Sequence, residues 1–120
     1  MHYIIDFDNR QDYLFAHVRG QDSVANSLDY WARVRDACEK HNQHKVLVVE
    51  ELRNAPDNAG VYQVATTLPE IFFDFPIKIA FVTPEHGPDE SFGVDISRKR
   101  GLDVQSFSDE DKAINWLSGA

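Results

Sequence analysis

The sequence predicts an α/β fold: a single domain with elements in the order ββαβαβαβα and a mixed, mainly parallel sheet. Three observations carry that expectation. The stretch 45–52, Lys-Val-Leu-Val-Val-Glu-Glu-Leu, holds four consecutive apolar residues rich in valine, and such a run cannot alternate between core and water, so both faces of the strand need cover. A second run, Ile-Lys-Ile-Ala-Phe-Val at 77–82, reads as another largely buried strand. Around these runs lie stretches whose apolar residues recur every three or four positions, the spacing of helices that cross over between parallel strands.

Taken in order, Tyr3, Ile5 and Phe7 alternate with Ile4 and Asp6, and Leu14, Ala16 and Val18 alternate with Tyr13, Phe15 and His17. These read as two strands of a hairpin joined by the polar run 8–12. Gly20 breaks the alternation. Asp22, Ser23 or Ser27 then stands where an N-cap is needed before Val24, Leu28, Trp31, Val34 and Cys38, whose spacing puts them on one helical face toward the sheet. Asn42 suits a left-handed stop ahead of the central strand.

After Leu52 the run Arg-Asn-Ala-Pro-Asp-Asn-Ala-Gly at 53–60 is the most loop-like segment of the chain. Val61, Val64, Leu68, Ile71 and Phe72 resume helical spacing, but Pro69 has no amide to give a helix interior, which predicts a break near Leu68. Pro76 closes that segment, Thr83-Pro84 stops the next strand, and a third helix ends in Arg98-Lys99-Arg100-Gly101. Three cations beside a glycine complement the negative end of a helix dipole, so this cluster is explained without nucleic acid. Residues 104–107 make a short last strand, and Ser108-Asp109-Glu110-Asp111 has the form of a capping box before Ala113, Ile114, Trp116 and Leu117.

With 120 residues, the chain is long enough to bury roughly two-thirds of the surface it exposes when unfolded. Its one cysteine, Cys38, has no internal partner, which suits a reducing compartment, the cytoplasm by default, and a role as a small apolar helix residue. The start, Met-His-Tyr-Ile-Ile-Asp, lacks the basic region and apolar run of a secretory leader, and no apolar segment approaches membrane-spanning length. Twelve basic against 20 acidic residues give a formal charge of -8, which disfavours nucleic acid and anionic lipid surfaces as partners.

Motifs for chemistry are sparse. Glu50 and Glu51 are adjacent on a strand, point to opposite faces and cannot act as an acid/base pair; they mark the strand's wet end. Asp6, Asp8, Asn9 and Asp12 suggest a calcium loop at first sight, but the loop glycine is missing and His17 stands where the terminal glutamate belongs, so a hairpin turn accounts for them. The histidines, His2, His17, His41, His44 and His86, are scattered without a matching cysteine or carboxylate and are expected at the surface. There is no glycine-rich phosphate cradle, no nucleophile elbow and no cysteine with a local activating partner. No catalysis, metal or cofactor is expected. One positive feature is Ile71, Phe72, Phe73 and Phe75, which crowd a single helical turn and cannot all face one core.

The leading hairpin, Lys-Val-Leu-Val-Val-Glu at 45–50, Gly60-Val61-Tyr62 at a helix start, Lys-Ile-Ala-Phe-Val-Thr at 78–83 and the ending Phe-Ser-Asp-Glu-Asp-Lys-Ala-Ile-Asn-Trp-Leu at 107–117 together resemble a SpoIIAA-like domain. That is the fold of STAS domains (sulphate transporters and anti-sigma factor antagonists) and, more distantly, of CRAL-TRIO lipid-transfer domains. The resemblance covers residues 3–117. It implies β-α units wound as a right-handed superhelix and a regulatory, protein-binding role of bacterial type. Bacterial anti-sigma antagonists carry a phosphorylatable serine where the loop after the third strand enters the next helix. Here the loop 53–60 holds neither serine nor threonine, and Thr66 and Thr67 lie inside the helix, so switching by phosphorylation at that loop is not expected; Asp57 offers a standing negative charge instead. The lipid-transfer relatives enclose their ligand with extra elements for which 120 residues leave little room.

The resulting expectation is a non-catalytic regulatory or protein-interaction domain. Open α/β sheets bind at the loops after their strands, which singles out Glu51, Arg53, Asn54, Asp57 and Asn58 on one loop and Thr83, Glu85 and His86 on the other. Ile71, Phe72, Phe73 and Phe75 are the expected contact of a homodimer or other protein partner. The alternative is a carrier or sensor of a small apolar, lipid-like ligand held against Val64, Leu68, Ile71 and Phe72. A lined pocket beneath the second helix would favour the alternative; a flat apolar patch would favour the protein partner.

Overall fold

The alternation at the start of the chain becomes the antiparallel edge of a five-stranded sheet. β1 (Tyr3–Asn9) pairs with β2 (Leu14–Gln21) from Tyr3 opposite Gly20 to Asn9 opposite Leu14. β3 (Lys45–Arg53), β4 (Lys78–Val82) and β5 (Asp103–Phe107) follow in parallel, and the spatial order is the chain order, β1-β2-β3-β4-β5. The crossovers are α1 (Val24–His41), α2 (Asn58–Ile71) and α3 (Pro88–Lys99), and α4 (Glu110–Leu117) ends the chain. The computed structural model describes residues 2–83 and 88–119, apart from the side chains of 88–91.

Two cores sandwich the sheet. Val46 and Val48 of β3 lie on one face with Tyr30, Trp31, Val34 and Cys38 of α1 and Leu68 and Phe72 from α2 and its end. Leu47 and Val49 lie on the other with Ala113 and Leu117 of α4. All four are covered as the apolar run demands, Val46, Leu47 and Val48 completely and Val49 to 7% exposure. Gly20 does not end its strand. It sits inside β2 at φ 124, where a Cβ would lie 2.7 Å from the His2 carbonyl oxygen, so only glycine lets the start of β1 pass so close.

Local chemistry sets the helix ends. Ser23 caps α1 by accepting the Asn26 amide at 2.9 Å, and Asn42 closes it at φ 53. The buried face of α1 is Ser27, Tyr30, Trp31, Val34 and Cys38, with Val24 and Leu28 only half-buried. Burial pushes the Cys38 thiol up to about 12. The cap of α4 is Asp109 rather than Ser108: its carboxylate accepts the Lys112 amide at 2.9 Å, and its charge also suits the positive end of the helix dipole.

The break expected near Leu68 is absent, and α2 runs through Pro69 to Ile71. A proline there leaves the Ala65 carbonyl without its usual donor four residues on. The Ser97 hydroxyl of α3, itself 1% exposed, donates to that carbonyl at 2.8 Å, so a side chain 32 residues away supplies the missing bond.

Beyond Ile71 the chain leaves the helix, and the four crowded apolar residues part company. Phe72 enters the core, Ile71 and Phe75 pack half-buried against it, and Phe73 alone points outward at 86% exposure. Arg35 pins this turn by donating to the Ile71 carbonyl at 2.8 Å and to Asp74 at 2.9 Å. His44 stacks on Phe75 with ring centroids 4.6 Å apart. The expected continuous apolar patch therefore reduces to one ring.

Candidate ligand pocket beneath the second helix

Because α1, α2 and α3 share one face of the sheet, the space between them and the C-terminal ends of β3 and β4 has to be filled by side chains. It is not filled completely. A pocket of about 360 Å³ remains, within the size range of small-molecule sites. Its roof is α2, through Val61, Val64, Ala65 and Leu68; α3 contributes Gly93, Val94 and Ser97; the sheet contributes Phe81 and Val104. Gly93 allows the two helices to approach, since a Cβ there would meet Val61 Cγ1 at 3.1 Å. The exposed members of the lining, Ala55 and Asn58, place the mouth at the loop entering α2.

The polar end is built from three elements. β3 alternates, so Glu50 follows Val46 and Val48 onto the helix-covered face. There its carboxylate accepts the Tyr30 hydroxyl at 2.5 Å. Asp22, at the end of β2, accepts the Ser27 hydroxyl at 2.8 Å, and its amide donates to the Arg53 carbonyl at 2.7 Å. Burial raises the Tyr30 hydroxyl well above its ordinary range, and the neighbouring Glu50 charge and hydrogen bond reinforce the shift, so Tyr30 is a neutral donor. Burial also raises Asp22, partly offset by the hydrogen bonds from Ser27 and the Ser23 backbone. Glu50 is thus no mark of a wet strand end, whereas Glu51 is: it projects to the opposite face and pairs with His17 at 2.6 Å. That pairing leaves His17 partly covered, while His2, His41 and His44 are exposed.

The expected surface residues fare unevenly. Of the residues singled out on the first loop, only Asn58 lines the pocket, beside its neighbours Ala55 and Pro56. Asp57 is the N-cap of α2, its carboxylate accepting the Gly60 amide at 2.9 Å. Arg53 and Asn54 are exposed, Asn54 in the left-handed region at φ 61, which asparagine tolerates. Thr83 is buried to 8% exposure; Glu85 and His86 lie outside the described residues. Of the residues expected beneath the second helix, Val64 and Leu68 line the pocket, while Ile71 and Phe72 do not. Asp22, Ser27, Tyr30 and Glu50 were missed as a group. Their one sequence signal was a set of polar residues on faces that otherwise carry core side chains.

No family model matches the chain, and no curated protein matches it. Among solved structures, it is similar to an uncharacterized protein from the DUF3478 family with a SpoIIAA-like fold from Shewanella loihica PV-4, with a TM-score of 0.60 and 16% sequence identity over 96% of this chain and 93% of that one. The chain has the SpoIIAA-like fold; at that identity the likeness carries fold alone.

Proposed function

We propose that this domain is a non-catalytic, ligand-sensing regulatory module of the bacterial cytoplasm whose pocket beneath α2 takes a small, largely apolar molecule. The observation that supports this reading over a purely protein-binding one is the pocket itself: about 360 Å³ with aliphatic and aromatic walls and a few convergent polar groups, the composition of small-molecule sites. A binding role rather than a reactive one suits the lone cysteine, whose thiol is buried and pushed up to about 12 and so holds almost no thiolate at neutral pH. Native mass spectrometry of protein purified from its own cells tests the reading. A retained small-molecule mass that disappears in Val64→Phe, which fills the pocket, is expected; a bare protein with no adduct in either form would overturn it.

A protein contact through Phe73 is a second role, supported by that ring's 86% exposure. A symmetric dimer would cover it with its own copy. Phe73→Glu is then expected to fold normally and to shift sedimentation from dimer to monomer; a wild-type monomer at high concentration would remove the dimer.

A further inference from the structure

We infer that the ligand of this pocket is a compact, uncharged aromatic molecule, selected by ring contact with Phe81 and by polar walls already bonded to one another. This rests on the ligand-binding reading above and specifies its chemistry. The first observation is Phe81 itself. β4 is an interior strand, hydrogen-bonded to β3 on one side and β5 on the other, and Phe81 packs against the core on the helix-covered face. Ile79, two residues earlier on the same face, is completely buried, whereas Phe81 is only half-buried and lines the pocket. An aromatic surface is thus left uncovered in the middle of the sheet. Trp31 lies behind it, 6.1 Å away by ring centroid and tilted by 34°, and Tyr30 continues the row at 5.0 Å and 32°. A ligand ring set against Phe81 gains the attraction of an aromatic pair, which an aliphatic body of the same size does not.

The second observation is that the polar side chains of the lining serve one another. The Tyr30 hydroxyl donates to Glu50 and accepts from Trp31. Ser27 gives its proton to Asp22, which also accepts from the Ser23 backbone. Ser97 gives its proton to the Ala65 carbonyl, and Glu50 is held by more than Tyr30 alone. Among the described residues, no buried side-chain nitrogen or oxygen lacks a partner. An ionised ligand group surrenders hydration on entering such a site, and here it must compete with hydrogen bonds already in place to recover it. That penalty falls on apolar acids and amines alike. An uncharged aromatic body avoids it and still buries its surface against Val61, Val64 and Leu68.

Isothermal titration of the intact protein with four probes separates ring from charge: 2-phenylethanol, 2-cyclohexylethanol, 2-phenylethylammonium and phenylacetate. The phenyl alcohol is expected to bind at least tenfold more tightly than either ion. It should also exceed the cyclohexyl alcohol by about threefold or more, the scale of one aromatic pair, although the saturated ring buries at least as much apolar surface. Phe81→Leu should erase that preference for phenyl over cyclohexyl; Phe81→Ile replaces it if the leucine form does not fold. Either ion binding as tightly as 2-phenylethanol, no phenyl preference in the wild type, or a preference unchanged without Phe81 would overturn the uncharged aromatic inference and leave the pocket reading intact. No binding by any of the four would overturn both.

Discussion

Replacing Ser97 by alanine removes the donor that stands in for the missing Pro69 amide. The Ala65 carbonyl lies in a part of α2 buried against α3, and Ser97 is 1% exposed, so water cannot readily take the hydroxyl's place. Leaving a buried carbonyl unsatisfied costs about 1–3 kcal/mol. For a domain of this size, a loss of 2 kcal/mol lowers Tm by roughly 6–10 °C. The companion variant Pro69→Ala restores the amide that donates to Ala65 within the helix. In that background Ser97→Ala is expected to cost about 1 kcal/mol less than in the wild type, the coupling typical of residues that share a partner. Urea unfolding of the four proteins, with unchanged slopes, reads these energies directly. Equal cost of Ser97→Ala in both backgrounds would refute the reasoning, because the hydroxyl would then not be compensating for the proline. Since Ala65 and Ser97 both line the pocket, this bond also fixes the spacing of its roof and wall.

Three further outcomes follow from the same geometry. Asp57→Ala removes the N-cap of α2 and should lower stability by about 1 kcal/mol in urea unfolding; no change would mean the cap contributes nothing in solution. Val48→Asp places a carboxylate at a fully buried position of the central strand and should cost several kcal/mol, enough to unfold a domain of ordinary stability, whereas an unchanged midpoint would contradict the strand's placement. The third concerns alkaline pH. The Cys38 thiol and the Tyr3 hydroxyl are both pushed up to about 12 in the fold, and Tyr30 is raised as well. The unfolded chain therefore releases these protons first. Their stabilisation is complete below the ordinary thiol range and is lost as pH rises toward the folded values, by up to about 1.4 kcal/mol per pH unit for the buried Cys38 and Tyr30 and by less for Tyr3, whose hydroxyl is screened by water. Cys38→Ala should flatten the decline between pH 9 and 10, where the tyrosines contribute least; a slope unchanged by that substitution would contradict the assignment.

The sheet was legible because each strand carries a periodicity that admits one reading: alternation for β1 and β2, an unbroken apolar run for β3. Long-range compensation was not legible. Pro69 predicts a helix break from local rules alone, and nothing near it in sequence announces that Ser97 supplies the lost hydrogen bond. The crowded phenylalanines misled for a related reason. Helical spacing extends through Phe75 in the sequence, but the helix stops at Ile71, and in the turn that follows each ring finds its own environment. The pocket's apolar roof was half visible, since Val64 and Leu68 share a helical face. Its polar end was not, because Asp22, Tyr30 and Glu50 come from a strand end, a helix and a second strand that only the fold brings together.

Filling the pocket is the most direct test of ligand binding beneath α2. Trp31 lines it, and Trp116 → Phe leaves Trp31 as the remaining tryptophan reporter. In that background, emission should change saturably as 2-phenylethanol is added. Adding Val64→Phe should abolish the response while the urea midpoint stays close to that of its parent. Identical titrations with and without Val64→Phe, or no saturable response in the unfilled protein, would contradict a ligand site at this position.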